Sequence, residues 1–525
     1  MIVSLMPANT KAGHALCAGC GAALSYYLLF PLFRSGHIGM NTLLLLVFVP
    51  VAALCFFRVV ASFPLAWDFG PKTCRVLRSL PLLLAAFAAG LALGISAGAR
   101  VSPGPVLGLP EDIVIGISGT LLDDPRLISG GSAMTTLSLG TLAGAGGVRA
   151  TASGEISVFF REENAERLRE FGRGTKVFAE GRLQRSTGGA FAGSHVFSAD
   201  SLHVTAAASP IDRFRTKLRL GLAERFAVYS GDGAASGGAA SGGAAWGGLA
   251  LALLLGIRDN LDSGLTALYR GAGISYILAL SGMHLAVIIA LVSFLLKKPL
   301  GLRPATIVGA LIIIAYCFIV GPLPSLYRSA LMYILGALSV LGMLKRESLS
   351  ILSMAFLVQL MLTPQAGVSL SFVLSYLAMV GILVLGKSLG GILRGTIPGF
   401  LLGPFALSLG AFIGTAGVVA WVFGDLRPVG IIAGLVVAPL TTVFMVGAIV
   451  WLGLDLLLPT LSPLFAWPLS LLYRLMEETA RLASFLPGIR ANPYLVLLLS
   501  LLTAALLIWL DIRLRAWRKR LGPFA

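Results

Sequence analysis

Histidine is scarce in this chain and never clustered. The five histidines are His14, His37, His195, His203 and His284, and they form no H-x-H-x-D-H run. The sequence therefore offers no grouped ligand set for metal-dependent hydrolysis, and neither a metal nor a cofactor is expected. No G-x-x-x-x-G-K-[ST] loop occurs, so an ATP-driven motor would have to be a separate polypeptide. Cysteine is equally sparse: Cys17, Cys20, Cys55, Cys74 and Cys317. Cys17-Ala18-Gly19-Cys20 has metal or redox spacing and His14 lies just before it, but no second pair completes a tetrahedral site. The region from Arg100 to Trp246 has no cysteine and so requires no oxidising compartment.

Charge is the third scarcity. Only 12% of residues are charged and 57% are hydrophobic. Apolar runs long enough to cross a bilayer recur, which marks a polytopic α-helical membrane protein. In that setting Cys17–Cys20 reads as a small-residue turn entering the membrane. The formal charge of +17 is partly the ordinary excess of Lys and Arg in cytoplasmic loops, so by itself it does not point to nucleic acid.

The chain divides where its texture changes. Residues 1–100 form an amino-terminal transmembrane region, with apolar segments at Gly21–Phe33, Asn41–Phe63 and Leu80–Ala97. No small-x-small cleavage site lies after the first of these, so it is expected to stay attached. Lys72, Arg75 and Arg78 stand against Asp68 in the loop before Leu80. That places the loop in the cytoplasm and the residues after Arg100 outside it.

Residues 101–207 change to short alternating runs at Ile113–Leu121, Met134–Leu139, Ile156–Phe160, Thr175–Leu183 and His195–Thr205, with a helical run at Glu162–Phe171. Five strands with one helix before the fourth fit a small OB-like β domain. Such barrels bind single strands through basic grooves and stacking aromatics. Between Glu111 and Thr205, however, eleven acidic residues face nine basic ones, and the aromatics are Phe159, Phe160, Phe171, Phe178, Phe191 and Phe197. A structural or gating role fits the domain at least as well.

Residues 208–245 hold a basic helix and a linker. Arg213, Arg215, Lys217, Arg219 and Arg225 interleave with Ile211, Phe214, Leu218, Leu220, Leu222 and Phe226, against Asp212 and Glu224. This reads as an amphipathic anchor on the bilayer surface, with a basic surface beside a DNA entrance as the alternative. Gly231–Ala245 is a flexible Gly/Ala/Ser run.

Residues 246–512 are almost wholly apolar, and 513–525 form a basic tail. Spans are expected at Ile274–Leu296, Ala305–Val320, Ser325–Leu344, Leu349–Leu362, Leu370–Leu385, Pro398–Phe423, Val429–Leu454 and Tyr494–Leu510. With Ile274–Leu296 running inwards, Lys297, Lys298, Arg303, Lys345, Arg346, Lys387 and Arg394 all fall in the cytoplasm, provided the parity closes near the end. Leu464–Leu486 carries Arg474, Glu477, Glu478 and Arg481. Four charges in one span are costly, so the preferred arrangement breaks Val429–Leu454 at Pro439 and leaves Leu464–Leu486 in the interface. The alternative has both segments cross.

The chain is organised around Tyr269–Ile288, in which Ser281, Gly282 and His284 sit in an apolar helical run. One reading is a close helix contact at Gly282 with polar atoms bonding across it. Another is an intramembrane hydrolase using Ser281 and His284, although side chains at i,i+3 on one helix rarely place a serine and its base within reach. Arg270, Ala279, Leu280, Ser281, Gly282, Met283 and His284 also resemble the signature helix of the ComEC competence family. Pro324-Ser325-Leu326-Tyr327-Arg328 through Met332 and Ser369 through Ala378 are similar to two further runs of that family, in the same order.

The resemblance spans Trp246 to about Leu510. It implies a channel that passes single-stranded DNA across the cytoplasmic (inner) membrane during natural transformation, with no catalysis of its own. It implies a separate DNA receptor and a separate cytoplasmic helicase or ATPase, and is compatible with self-association. Full-length members often end in a metallo-β-lactamase-like domain. The histidine pattern leads to the expectation that this form lacks it, leaving any nuclease to another polypeptide. A family relative moving another anionic polymer or a lipid is the second reading.

Residues implied for the DNA path or entrance are Arg270, Ser281, His284, Arg328, Ser371 and Ser375. Arg270, Arg328, Arg427 and Arg490 are expected at the start of helices on the extracytoplasmic side, where an arginine and a helix amino-terminus together attract phosphate. Arg427 has Asp425 nearby to pair with instead.

Overall fold

The computed structural model describes residues 18–27, 85, 87–97, 107–127, 132–161, 171–185, 195–229, 246–321, 323–342 and 347–520. The expected span Asn41–Phe63, the helical run at Glu162–Phe171 and the linker lie wholly or almost wholly outside them. Two compact units divide the chain. One comprises Ser102–Ser263 with Ala315–Leu323, and the other Met1–Val101, Gly264–Ile314 and Pro324–Ala525.

In the first unit, alternating apolar residues build a small β domain. Its strands are β1 (Val114–Leu121), β2 (Arg126–Leu127), β3 (Ala133–Gly144), β4 (Arg149–Thr151), β5 (Glu155–Phe160), β6 (Lys176–Arg185) and β7 (His195–Ala206). The pairing runs β1-β6-β7-β5-β3, and β3 pairs back with β1, so the five longer strands close on themselves. Only β5 and β7 run parallel. Each long strand turns one set of side chains inward, and Ile117, Leu137, Ile156, Val158, Phe160, Val177 and Phe197 form the core. Phe160 and Phe197 are thus consumed by packing and leave few rings for stacking on bases.

Helix α1 (Pro210–Ala227) comes next, capped by Ser209, then α2 (Trp246–Leu255). The surface-anchor reading of α1 accounts for only part of its basic residues: Arg213, Lys217 and Arg225 are exposed, but Arg215 is buried with Thr216 and Phe226. Arg215 is 2% exposed. It donates bidentately to Asp124, at 2.9 and 2.7 Å, and from Nε to the carbonyl of Phe318 at 2.8 Å. Arg219 pairs with the same carboxylate at 3.1 Å and donates to the Val320 carbonyl. Ile211 and Phe214 are exposed instead. The cause is the last turn of α5 (Leu302–Val320). Its unpaired carbonyls are a partial negative charge that arginines satisfy well. Burial pushes the Asp124 carboxyl up, but the hydrogen bond from Arg215 and the charges of Arg219 and Arg215 outweigh it and hold it below its ordinary value.

The second unit is a helical bundle. It contains α3 (Ser263–Gly271, from Gly264), α4 (Gly282–Leu300), the body of α5, α6 (Pro324–Leu341), α7 (Ser348–Leu362), α8 (Leu370–Ile392), α9 (Gly399–Phe423), α10 (Val429–Leu457), α11 (Ser462–Ser484) and α12 (Pro493–Arg520). The helical piece at 18–27 joins its core through Tyr26 and Tyr27, which donate to the carbonyls of Pro364 and Gly367, and the piece Phe87–Ala97 joins through Leu93 and Ala97. Among the described residues seven helices, α4–α6, α8–α10 and α12, are long and apolar enough to cross a bilayer, so the chain is a multi-pass membrane protein. Glycines allow close crossing: a Cβ on Gly414 would sit 2.8 Å from the Leu377 carbonyl, where α9 meets α8.

The expected break at Pro439 is absent. α10 is one helix of 29 residues, and the hydroxyls of Thr441 and Thr442 donate back to the carbonyls of Val437 and Ala438 just beside the proline. α11 then retraces α10. Trp451 donates to the Ser462 carbonyl at 3.1 Å, Thr441 contacts Met476, and Leu426 and Ile489 exchange backbone hydrogen bonds at the far end. α11 therefore lies alongside α10 over nearly its whole length. The charges of α11 are accommodated by pairing: Arg481 meets Glu477 at 2.8 Å and Glu478 at 3.1 Å. An apolar stripe through Ala466, Leu469, Tyr473, Met476 and Ala480 is buried.

Candidate functional site

The signature stretch folds as a corner rather than a continuous helix. α3 ends at Gly271, Gly273 takes φ 71° with Arg427 packed against it, and a 3-10 turn covers Ser275–Ile277. α4 begins only at Gly282, eight residues after the expected start at Ile274. Ser281 is its N-cap. The Ser281 hydroxyl accepts from the Met283 N–H at 3.3 Å, and His284 Nδ1 accepts from the Ser281 N–H at 3.1 Å. This is a capping box with histidine in the place usually held by glutamate.

Ser281 Oγ and His284 Nδ1 are also 3.1 Å apart, closer than the i,i+3 spacing led us to expect. The contact does not amount to a triad. Nδ1 already serves the cap, and among the described residues Nε2 of His284, which is 0% exposed, has no side-chain partner to orient the ring as a base.

Beside this cap lies Arg328, in the second turn of α6. It is 6% exposed. Nε donates to Ser375 Oγ on α8 at 2.7 Å, the guanidinium carbon stands 5.9 Å from the Tyr376 ring centre, and NH1 touches the Met332 sulfur at 3.5 Å. A Cβ on Gly282 would be 3.2 Å from NH2 and 2.7 Å from Ser329 Oγ, so the first residue of α4 must be this small. Ser325, one turn earlier on α6, donates to the Leu280 carbonyl at 2.6 Å. Among the described residues no carboxylate lies within ion-pair distance of Arg328. A guanidinium in an apolar bundle without a counter-ion is costly, and its location beside the positive end of α4 adds to the cost. Chemically, the arrangement is an anion attractor.

Of the residues selected from sequence, Ser281, His284, Arg328 and Ser375 converge here. Ser371 is exposed on the first turn of α8, outside the cluster. Arg270 is exposed in the last turn of α3, so it does not sit at a helix amino-terminus. The reasoning from helix ends fails for it, because a cation at a carboxyl end is simply well placed. Arg427 pairs with Asp425 at 3.0 Å and donates to the Gly271 carbonyl at 2.6 Å, a structural clamp.

Sequence reasoning missed Gln359 and the part Tyr376 plays with it. Gln359 on α7, 1% exposed, donates to the Pro324 carbonyl at 2.9 Å and accepts from the Tyr376 hydroxyl at 2.9 Å. A lone glutamine inside the apolar run of α7 was the available signal. Among the described residues no group of three His, Cys, Asp or Glu could hold a metal.

Comparison with known proteins bears on this bundle. An uncharacterized protein of Aquifex aeolicus is 28% identical over 225 residues, covering 43% of this chain and 50% of that protein; the chain thus spans about half the length of the curated relative it matches. A family model described as Competence protein matches residues 253–516, a range that holds α3 to α11, most of α12 and every residue of the Arg328 cluster. By that match the chain belongs to the ComEC-type competence protein family.

Proposed function

We propose that the protein passes single-stranded DNA across the cytoplasmic membrane during natural transformation, acting as a conduit and not as an enzyme. The observation that carries this reading is Arg328, buried in a bilayer-spanning bundle with no carboxylate among the described residues to neutralise it. A phosphodiester backbone supplies one negative charge per nucleotide and would compensate that charge in passing. Arg270, Ser281, His284, Ser371 and Ser375 are assigned to the same path.

The orientation that fits is α4 running inwards. With α10 and α11 both crossing, the basic carboxyl end of α12, from Arg513 to Arg520, then falls in the cytoplasm along with Lys297, Lys298, Lys387 and Arg394. The β domain is assigned an OB-like, structural or gating role. Its closed strand order supports the OB-like part of that reading, and its net negative charge speaks against tight DNA binding. A separate DNA receptor, a helicase or ATPase and any nuclease would be its partners, and self-association is compatible with the reading.

A transformation assay tests it. A clean deletion should abolish uptake while DNA still binds the cell surface, whereas normal transformant yield would overturn the reading. Loss of capsule or lipid export with normal transformation would instead favour another anionic cargo.

A further inference from the structure

We infer that Gln359 and Tyr376 are positioning residues that hold the Arg328 guanidinium in place; the inference rests on the Arg328 reading above. Three helices meet in one hydrogen-bonded chain. The Tyr376 hydroxyl on α8 donates to Gln359 Oε1 on α7, and Gln359 Nε2 donates to the carbonyl of Pro324, the first residue of α6. Pro324 lies four residues before Arg328, so its carbonyl is the helical acceptor for the Arg328 N–H. Gln359 therefore grips the very turn that carries the arginine.

Tyr376 acts at both ends of that turn. Its hydroxyl fixes the orientation of the glutamine amide, and its ring lies 5.9 Å from the guanidinium carbon, within range of a cation–π contact. Its chain neighbour Ser375 accepts from Nε. Gln359 and Tyr376 are both buried, so each group has the other as its replacement for water. Removing either member leaves a buried polar atom orphaned. A long flexible guanidinium with no counter-ion among the described residues is held directly only by Ser375 and Met332. This chain supplies the rest.

The test has two readouts that fail separately. Arginine modification by phenylglyoxal in membranes, read peptide by peptide, reports position alone. Arg328 should be protected in the unchanged protein and become reactive in Tyr376→Phe and in Gln359→Leu, while buried Arg215 stays protected. Where Gln359→Leu does not accumulate, Gln359→Glu keeps the acceptor for Tyr376 and loses the donor to Pro324. DNA uptake per molecule of protein should fall about tenfold in each variant, the scale of one lost hydrogen bond to or around a charged group. In an Arg328→Lys background the same substitutions should cost nothing further, because residues acting through one partner are not additive. Continued protection of Arg328 in both variants, or full additivity with Arg328→Lys, overturns the positioning role. Normal uptake by Arg328→Ala with Arg328 deprotected by Tyr376→Phe overturns the transport reading and leaves the positioning role standing.

Discussion

Two arginines of this protein are almost equally buried and otherwise opposite. Arg215 is 2% exposed and has every demand met: a bidentate carboxylate on Asp124 and the carbonyls that end α5. Arg328 is 6% exposed and has a serine hydroxyl, a tyrosine face and a thioether, but no carboxylate among the described residues. Burial alone does not separate a structural charge from a functional one; the difference lies in whether the fold neutralises what it buries. The first arrangement holds a domain together. The second leaves a buried positive charge with no carboxylate among the described residues, and that is the ground on which Arg328 is proposed for the DNA path.

The largest expected effect is at Arg328. Arg328→Ala should lower DNA uptake at least about tenfold with the protein still present in the membrane, since a charge-assisted hydrogen bond contributes about 1.5–3 kcal/mol. Arg328→Lys should retain part of it. Uptake per molecule and membrane amount, measured together, check this. If alanine transforms normally, the contrast with Arg215 has no functional content.

Arg215 should break in the other way. Arg215→Met takes from Asp124 its closest partner and leaves it Arg219 at 3.1 Å, a loss of no more than about 3 kcal/mol, the low end for a broken buried pair. The expected result is less protein and a lower unfolding temperature, with uptake per surviving molecule unchanged. The pH dependence has a definite sign. The folded Asp124 carboxyl lies below its ordinary value, so the pair stabilises above the unfolded pKa of about 3.9 and is lost as pH falls through the lower folded value. The stability gap between the unchanged protein and Asp124→Asn should be full at pH 7 and pH 5 and close only below about pH 4.

Gly282→Ala sharpens the comparison at an intermediate scale. Its methyl would stand 2.7 Å from Ser329 Oγ and 3.2 Å from the Arg328 guanidinium, so one of them must move. A several-fold loss of uptake at normal amount is expected, on the scale of a strained contact of about 1 kcal/mol. No loss at all would mean that the guanidinium is free to give way.

Much of this was legible in sequence, for identifiable reasons. Strand alternation placed β5 and β7 to within a residue, because each strand has one buried face and the period of two is strict. Apolar runs placed α7 and α9 equally well. The failures occur where tertiary partners decide. Ile274–Leu280 is as apolar as a span, yet Gly273 and the Ser281 cap end one element and start another, and the S-x-x-H spacing of the capping box was the overlooked sign. Pro439 suggested a break that packing against α11 repairs. The basic stripe of α1 suggested a membrane surface, whereas Asp124 and the end of α5 claim two of its arginines. In the site, Ser281, His284, Arg328 and Ser375 came from family-like runs. Gln359 lies outside any such run; its one sign in the sequence is a lone amide in the apolar stretch of α7, and its partners appear only in three dimensions.

The smallest expected effect is at Arg270, and it tests whether exposure divides the arginines as burial does. Arg270 shares the signature stretch with Ser281 and His284 but projects from the last turn of α3, exposed. An exposed cation attracts a phosphate backbone through water and is screened over about 8–10 Å at physiological salt. A surface charge contact contributes about 0–1 kcal/mol. Arg270→Ala should therefore cost no more than a few-fold in uptake. Arg270→Lys should behave as the unchanged protein, because no fixed geometry is demanded of the charge. The loss should shrink as ionic strength rises, while that of Arg328→Ala should not, since a buried charge is screened far less. Uptake measured for both variants across a salt series decides the matter. If Arg270→Ala proves as severe as Arg328→Ala at every salt concentration, the two arginines act at one site, and burial is the wrong criterion for telling them apart.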